Sequence, residues 1–106
     1  MAIDDGDYQE LLSGLIRLHI LHHAAEGGLY GHWMIDELWR HGYRMSPGTL
    51  YPMLHALERK GYLKSRTQGS GRRARRLYRA TKKGRQALIF AKGRLHELFG
   101  ELIRER

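Results

Sequence analysis

The chain has 106 residues, 42% hydrophobic and 28% charged, with a formal net charge of +8, a composition that suits one ordinary globular domain. It has no cysteine, which excludes disulfides and thiolate chemistry and fits a reducing compartment. The acidic start, MAIDDGDYQE, is unlike a secretory signal, and no apolar run approaches the roughly 18 residues of a membrane span, so the expected location is the cytoplasm.

The first predicted helix runs from about residue 8 to 25. Leu11, Leu12, Leu15, Ile16 and Leu18 recur at helical spacing, and the EGG at 26–28 ends it. Its second half reads LHILHHA. His19, His22 and His23 all fall within roughly 120° of Leu11 on a helical wheel, on the apolar face. Two readings stand open. The three imidazoles could be packed and hydrogen-bonded near a subunit interface. Alternatively, the i, i+4 pair His19 and His23 could share a Zn²⁺-type metal ion or sense protons. Without cysteine, such a site needs carboxylates such as Glu10 or Glu97, or histidines of a second subunit.

A second helix is predicted over 31–41, stopped by HGY at 41–43 with Gly42 as its cap. It carries Trp33 and Trp39, six positions apart and so on different faces. They read as core or interface packing, with a flat apolar effector pocket at a dimer centre as the alternative. The third helix is the best marked. Ser46 suits the N-cap and Pro47 the first helical position, while Leu50, Leu54 and Leu57 form one stripe ended by Gly61. If that stripe faces the core, Gly48, Thr49, Tyr51, Pro52 and His55 point away from it. Pro52 lies inside the helix, where it removes one backbone donor.

The stretches 62–68 and 74–81 have strand composition, and the GSGRR between them reads as a hairpin turn. The positive charge is concentrated here. Residues 1–58 carry net −5, residues 59–85 carry twelve basic side chains and no acid, and residues 86–106 carry net +1. A local patch of this kind is the electrostatic footprint of a polyanion binder. Arg72 and Arg73 sit at the turn, Arg75, Arg76 and Arg79 follow along the outgoing strand, and Lys64 and Arg66 extend the patch on the incoming one. Thr81 then caps a last helix reaching about residue 104. Its Leu88, Ala91, Leu95, Leu98 and Leu102 step by three and four, a heptad seam. Ile89, Phe99 and Ile103 add a second stripe. One stripe can pack on the first helix, leaving the other for a second copy, so that Leu88, Leu95, Leu98, Phe99 and Leu102 are the candidate dimerisation residues.

Three helices, a hairpin and a long helix make an α+β, mostly α, winged helix-turn-helix with a C-terminal dimerisation helix. Residues 1–80 form the DNA-binding part and 81–106 the dimerisation helix, within one compact domain. In a helix-turn-helix the second helix of the pair reads the major groove. The candidate DNA contacts are therefore Thr49, Tyr51, Pro52 and His55, with Lys64, Arg66, Arg72, Arg73, Arg75 and Arg76 on the wing. No nucleophile elbow or Gly-rich phosphate loop is present, so no enzyme is expected.

Three stretches resemble the PadR family of bacterial transcriptional regulators. MSPGTLYPMLHALERKGYL (45–63) is similar to its recognition-helix signature. GRRARRLYRATKKGRQAL (71–88) is similar to its wing and the start of its last helix, with Tyr78, Thr81 and Gly84 at matching places. LYGHWMIDEL (29–38) matches at Gly31. The likeness spans about residues 14–90, and the short tail suggests the small subgroup with one C-terminal helix. The resemblance implies a homodimeric repressor released by a small effector such as a phenolic acid or drug, with Ser46 joining Thr49, Tyr51, Pro52 and His55 as DNA contacts; the expected partner is an inverted-repeat operator in double-stranded DNA. No cofactor is required; a divalent metal (Zn or Cd) or a small aromatic effector is the expected signal. His32 and the pair His22–His23 depart from the family pattern, and the histidine pair tilts the expectation toward a metal or proton signal. The alternative is a non-specific basic protein binding RNA or organising the nucleoid.

Overall fold

In the computed structural model, which describes residues 9–104, the apolar stripes of the sequence become the faces of four helices around one core. A helical turn at 9–11 leads into α1 (Ser13–Glu26); Tyr8, where that helix was expected to start, lies outside the described residues. Helix α2 (Gly31–Arg40) and α3 (Pro47–Arg59) follow, joined by the turn through Tyr43 and Met45. The wing strands are β2 (Leu63–Gln68) and β3 (Arg75–Ala80), with a single 3-10 turn at Gly71–Arg73 between them. Helix α4 (Lys82–Ile103) closes the chain.

One element was not legible in the sequence. Leu29 and Tyr30 form a two-residue strand, β1, that pairs antiparallel with β3 and makes the sheet three-stranded in the order β1-β3-β2. Two residues carry no periodicity of their own. They become a strand because β3, already paired with β2 on one edge, offers its other edge to them.

The core collects Ile16, Ile20 and Leu21 of α1, Met34 and Leu38 of α2, Leu50, Leu54 and Leu57 of α3, and Leu63 and Tyr78 of the sheet. Two glycines let backbones meet where a side chain could not fit. A Cβ on Gly31 would lie 2.5 Å from the Tyr51 hydroxyl, so α2 begins where the α3 tyrosine packs across it. A Cβ on Gly84 would lie 2.1 Å from the Tyr62 carbonyl oxygen. Beside it, Thr81 Oγ1 accepts from the Gly84 amide at 3.0 Å and donates to the Gly61 carbonyl at 2.5 Å. The predicted Thr81 cap is thus also the knot that ties the end of α3 to the start of α4.

Two local expectations are corrected. Ser46 occupies the N-cap position of α3, but its hydroxyl meets Thr49 Oγ1 at 3.3 Å and makes no cap bond to a backbone amide. Of the two packings expected for Trp33 and Trp39, in the core or at an interface, the core is ruled out: both are exposed on the single chain. Each is used from outside, Trp33 edge-on to His23 and Trp39 by donating its indole N–H to the Met45 carbonyl at 3.3 Å. The latter braces the turn between α2 and α3.

Candidate nucleic-acid interface

Helix α3 is divided lengthwise. Leu50, Met53, Leu54 and Leu57 are buried, while Ser46, Gly48, Thr49, Pro52 and His55 are exposed. The first turn holds no acid, so the free amides and the positive end of the helix dipole face solvent unopposed. Tyr51 differs from its neighbours. It is half-buried, with its ring against the core and its hydroxyl over Gly31. It therefore helps set the angle between α2 and α3 as well as lining the exposed face.

The wing is held from three sides. Ser65 Oγ donates to Glu58 Oε2 of α3 at 2.6 Å, and Arg76 donates to Ser65 Oγ at 3.2 Å, linking strand, strand and reading helix. On the other edge Tyr30 donates its hydroxyl to Gln68 and carries the Arg75 guanidinium over its ring at 4.1 Å. The register opposes Lys64 to Arg79, Arg66 to Leu77 and Gln68 to Arg75. Paired residues share a face of the sheet. Lys64, Arg66, Arg75 and Arg79 therefore lie on the outer face, opposite the core face that carries Leu63, Tyr78 and Ala80. Arg76 lies on the core face, toward α3, and Arg72 and Arg73 project from the tip. The predicted basic patch is thus two surfaces. Arg76 sits toward α3 and Arg72 and Arg73 at the tip, whereas Lys64, Arg66 and Arg75 share the reverse face with Arg79. Lys64 directly opposite Arg79 costs stability in isolation.

Helix α4 buries Leu88 and half-buries Leu95, but Phe99 is only partly covered and Leu98 and Leu102 are exposed, at 54% and 69%. Ile89, Phe90 and Ile103 are exposed as well. Between α1 and α4 runs an apolar trough of about 290 Å³, lined by Leu15, Leu18, Tyr43, Leu95 and Phe99 among others, and by neither tryptophan.

These features have close counterparts among known proteins. Residues 20–89 match the profile of the transcriptional regulator PadR-like family. The chain belongs to the PadR-like family. It is 52% identical over 95 residues to transcriptional regulator Rv3488 of Mycobacterium tuberculosis, a match covering 90% of this chain and 89% of that one. A PadR family regulator from Eggerthella lenta has a similar crystal structure, with a TM-score of 0.78 at 28% identity over 93% of this chain and 90% of that one. A transcriptional regulator from Clostridium thermocellum superposes with a TM-score of 0.73 at 27% identity, over 89% and 94% of the two chains. The fold is therefore a winged helix, and this PadR-like chain is a transcriptional regulator rather than an enzyme, with DNA the partner its family implies. Among the described residues, no helix is long and apolar enough to cross a membrane.

Four of the seven histidines, His19, His22, His23 and His41, stand beside the carboxylates of Glu26 and Glu37. His22 leans toward the exposed Glu26, 3.5 Å away. His19 and His23 instead face α2, where their Nε2 atoms are 3.2 Å apart and lie 3.9 and 3.3 Å from Glu37 Oε2. His41, at the C-cap of α2, brings its own Nε2 to 3.1 Å from the same oxygen. Burial, with the neighbouring His23 and His41, lowers the pKa of His19 below the ordinary imidazole value. Burial works against the Glu37 carboxylate, but the His41 hydrogen bond and the Arg40 guanidinium outweigh it and hold Glu37 below its usual range. Neither Glu37 nor His41 was singled out in the sequence. Their signal was there, a carboxylate and an imidazole at i, i+4 like His19 and His23, but nothing in the sequence says that the two helices turn these faces to each other. Glu10 and Glu97 have no part in this cluster.

Proposed function

We propose that this regulator is a homodimeric repressor that recognises an inverted repeat in double-stranded DNA. One observation carries the reading: an acid-free, exposed N-terminal face of α3 in the same fold as an exposed wing tip that holds Arg72 and Arg73. Short polar groups at Ser46, Thr49 and His55 can reach base edges in the major groove, and Pro52 and Tyr51 offer apolar contact to a thymine methyl. The wing arginines take the phosphate backbone or an adjacent narrow minor groove. The outer sheet face, with Lys64, Arg66, Arg75 and Arg79, adds positive potential that draws DNA in.

Dimerisation is supported by the uncovered apolar face of α4. A single chain leaves Leu98, Leu102 and Ile103 in water, and a second copy related by a two-fold axis covers them. Two recognition helices then face successive major grooves, roughly 34–36 Å apart. Release follows when a small effector or a metal ion changes the spacing of the two readers.

The test is a titration of fluorescent duplexes with the purified chain. An inverted repeat from the regulator's own promoter region should be bound at least about 10³-fold more tightly than random duplex. Equal affinity for all duplexes, or preference for RNA, returns the chain to the class of non-specific basic proteins.

A further inference from the structure

We propose that His19, His23, Glu37 and His41 form a binding site for one divalent cation of the zinc class, and that this site is the regulator's effector site. The four ligand atoms come from two helices, each supplying a pair at i, i+4: His19 and His23 from α1, Glu37 and His41 from α2 and its cap. All three imidazoles point Nε2 at one carboxylate oxygen. The separations are 3.2 Å for His19–His23, 3.3 Å for His23–Glu37, 3.1 Å for His41–Glu37 and 3.9 Å for His19–Glu37. Four ligands about 2.0–2.2 Å from a tetrahedral zinc lie roughly 3.3–3.6 Å from one another. His19, His23 and Glu37, whose ligand atoms lie within 4.8 Å of one another, therefore stand near three corners of such a tetrahedron, while His41 adjoins the Glu37 oxygen only and its exposed ring must swing toward the two imidazoles to supply the fourth.

The surroundings orient the ligands as a metal site requires. Arg40 takes the other oxygen of Glu37, Oε1, at 3.0 Å, which leaves Oε2 to the cluster. Glu26 Oε1 lies 3.5 Å from His23 Nδ1, so that ring can hold its proton on Nδ1 and present Nε2 as a bare donor. Trp33 packs edge-on against the same ring at 5.0 Å and limits its rotation. Neutral rings can form the hydrogen bonds present, His41 donating to Glu37 and His23 to the bare Nε2 of His19, but His19, 3.9 Å from the Glu37 oxygen, then turns a lone pair toward it with no proton between them. Charging the rings instead gathers three cations and Arg40 around one carboxylate. A dication instead takes the inward-facing lone pairs of His19, His23 and Glu37 together. Three nitrogens and one oxygen suit zinc or cadmium and not magnesium or calcium, which want oxygen.

The placement supplies the consequence, which rests on the regulator reading above. Helix α2 is the first helix of the reading pair, and α1 forms one wall of the trough against α4. A cation that clamps α1 to α2 sets the position of the reading helices relative to the helix that carries the second copy.

The site is tested on the full chain without DNA. Near neutral pH, Co²⁺ should give the absorption bands of a tetrahedral ion, saturating at one equivalent per chain and displaced by Zn²⁺. H23A and the near-isosteric E37Q should weaken Zn²⁺ binding by at least about 10–100-fold, with far-UV circular dichroism confirming that both variants are folded. H22A, outside the cluster, should change it by less than about threefold, well below the effect of losing an orienting group. Absence of the tetrahedral spectrum, or equal losses from H22A and H23A, overturns the site. A second arm measures duplex binding with Zn²⁺ and with a chelator. A change of about tenfold or more, a coupling of ordinary size, that disappears in E37Q supports the effector role. Zn²⁺ binding with unchanged duplex affinity overturns that role and leaves the site. Zn²⁺ binding by a chain that takes no duplex overturns the repressor reading instead.

Discussion

Helices α3 and α4 are both amphipathic, yet they meet opposite fates. In α3 every apolar stripe residue is inside, with Leu50 and Leu54 wholly buried. In α4 burial is confined to the first turns, at Gly84 and Leu88, and the distal half holds Leu98, Leu102 and Ile103 in water. The reason is geometric. Helix α3 lies against α2 and strand β2, whereas α4, about 33 Å long at 1.5 Å per residue, runs past the end of the body. The radius of gyration is 15.1 Å, against about 13 Å for a compact domain of this length. Apolar spacing alone thus does not say whether a stripe is satisfied within the chain or awaits a partner; the length of the elements opposite decides it.

The sharpest way to break this comparison is to charge the distal stripe. Leu98→Glu with Leu102→Glu should leave the secondary structure intact, turn a dimer into a monomer in sedimentation, and cost roughly 10²–10⁴ in operator affinity through the loss of bivalency. A double variant that still dimerises moves the interface elsewhere. The converse change belongs in α3: Leu54→Ala should lower unfolding stability by about 2–5 kcal/mol, because it opens a cavity in a close-packed site. Chemical denaturation reads it directly, and a drop under about 1 kcal/mol would mean that the core collapses around the gap.

Gly84→Ala probes the joint between the two helices. Its methyl meets the Tyr62 carbonyl, so the start of α4 must shift, at an expected cost of about 1–3 kcal/mol by overpacking. A neutral result in thermal unfolding would show that α4 can slide on the body. The mildest expected effect is at the wing tip. Arg72→Ala with Arg73→Ala should keep stability within about 0.5 kcal/mol. The slope of log affinity against log salt should fall by about 1 for each phosphate that the tip no longer neutralises. An unchanged slope removes the tip from the interface.

Much of this molecule was legible before any coordinates. The leucine stripe of α3, Pro47 at its first position, the hairpin, and Thr81 as the cap of α4 follow from rules that act within a few residues, where sterics and local hydrogen bonds decide. What escaped had partners far away in the chain. The strand at Leu29 exists only because β3 has a free edge. Trp33 and Trp39 look like core residues by composition, but each ring lies outside the core against a neighbour, His23 and Met45. The split of the basic patch into a tip and a reverse face came from strand register, which charge counting along the sequence does not contain.

The sequence by itself determined the kind of molecule: a basic hairpin after a helix-turn-helix, and a last helix with more apolar surface than one face needs. Tertiary structure alone decided which side chains meet. It set Glu37 and His41 against His19 and His23 and left His22 beside Glu26 at the edge of that cluster, because a helix fixes the spacing of its own residues but not the face its neighbour turns toward it.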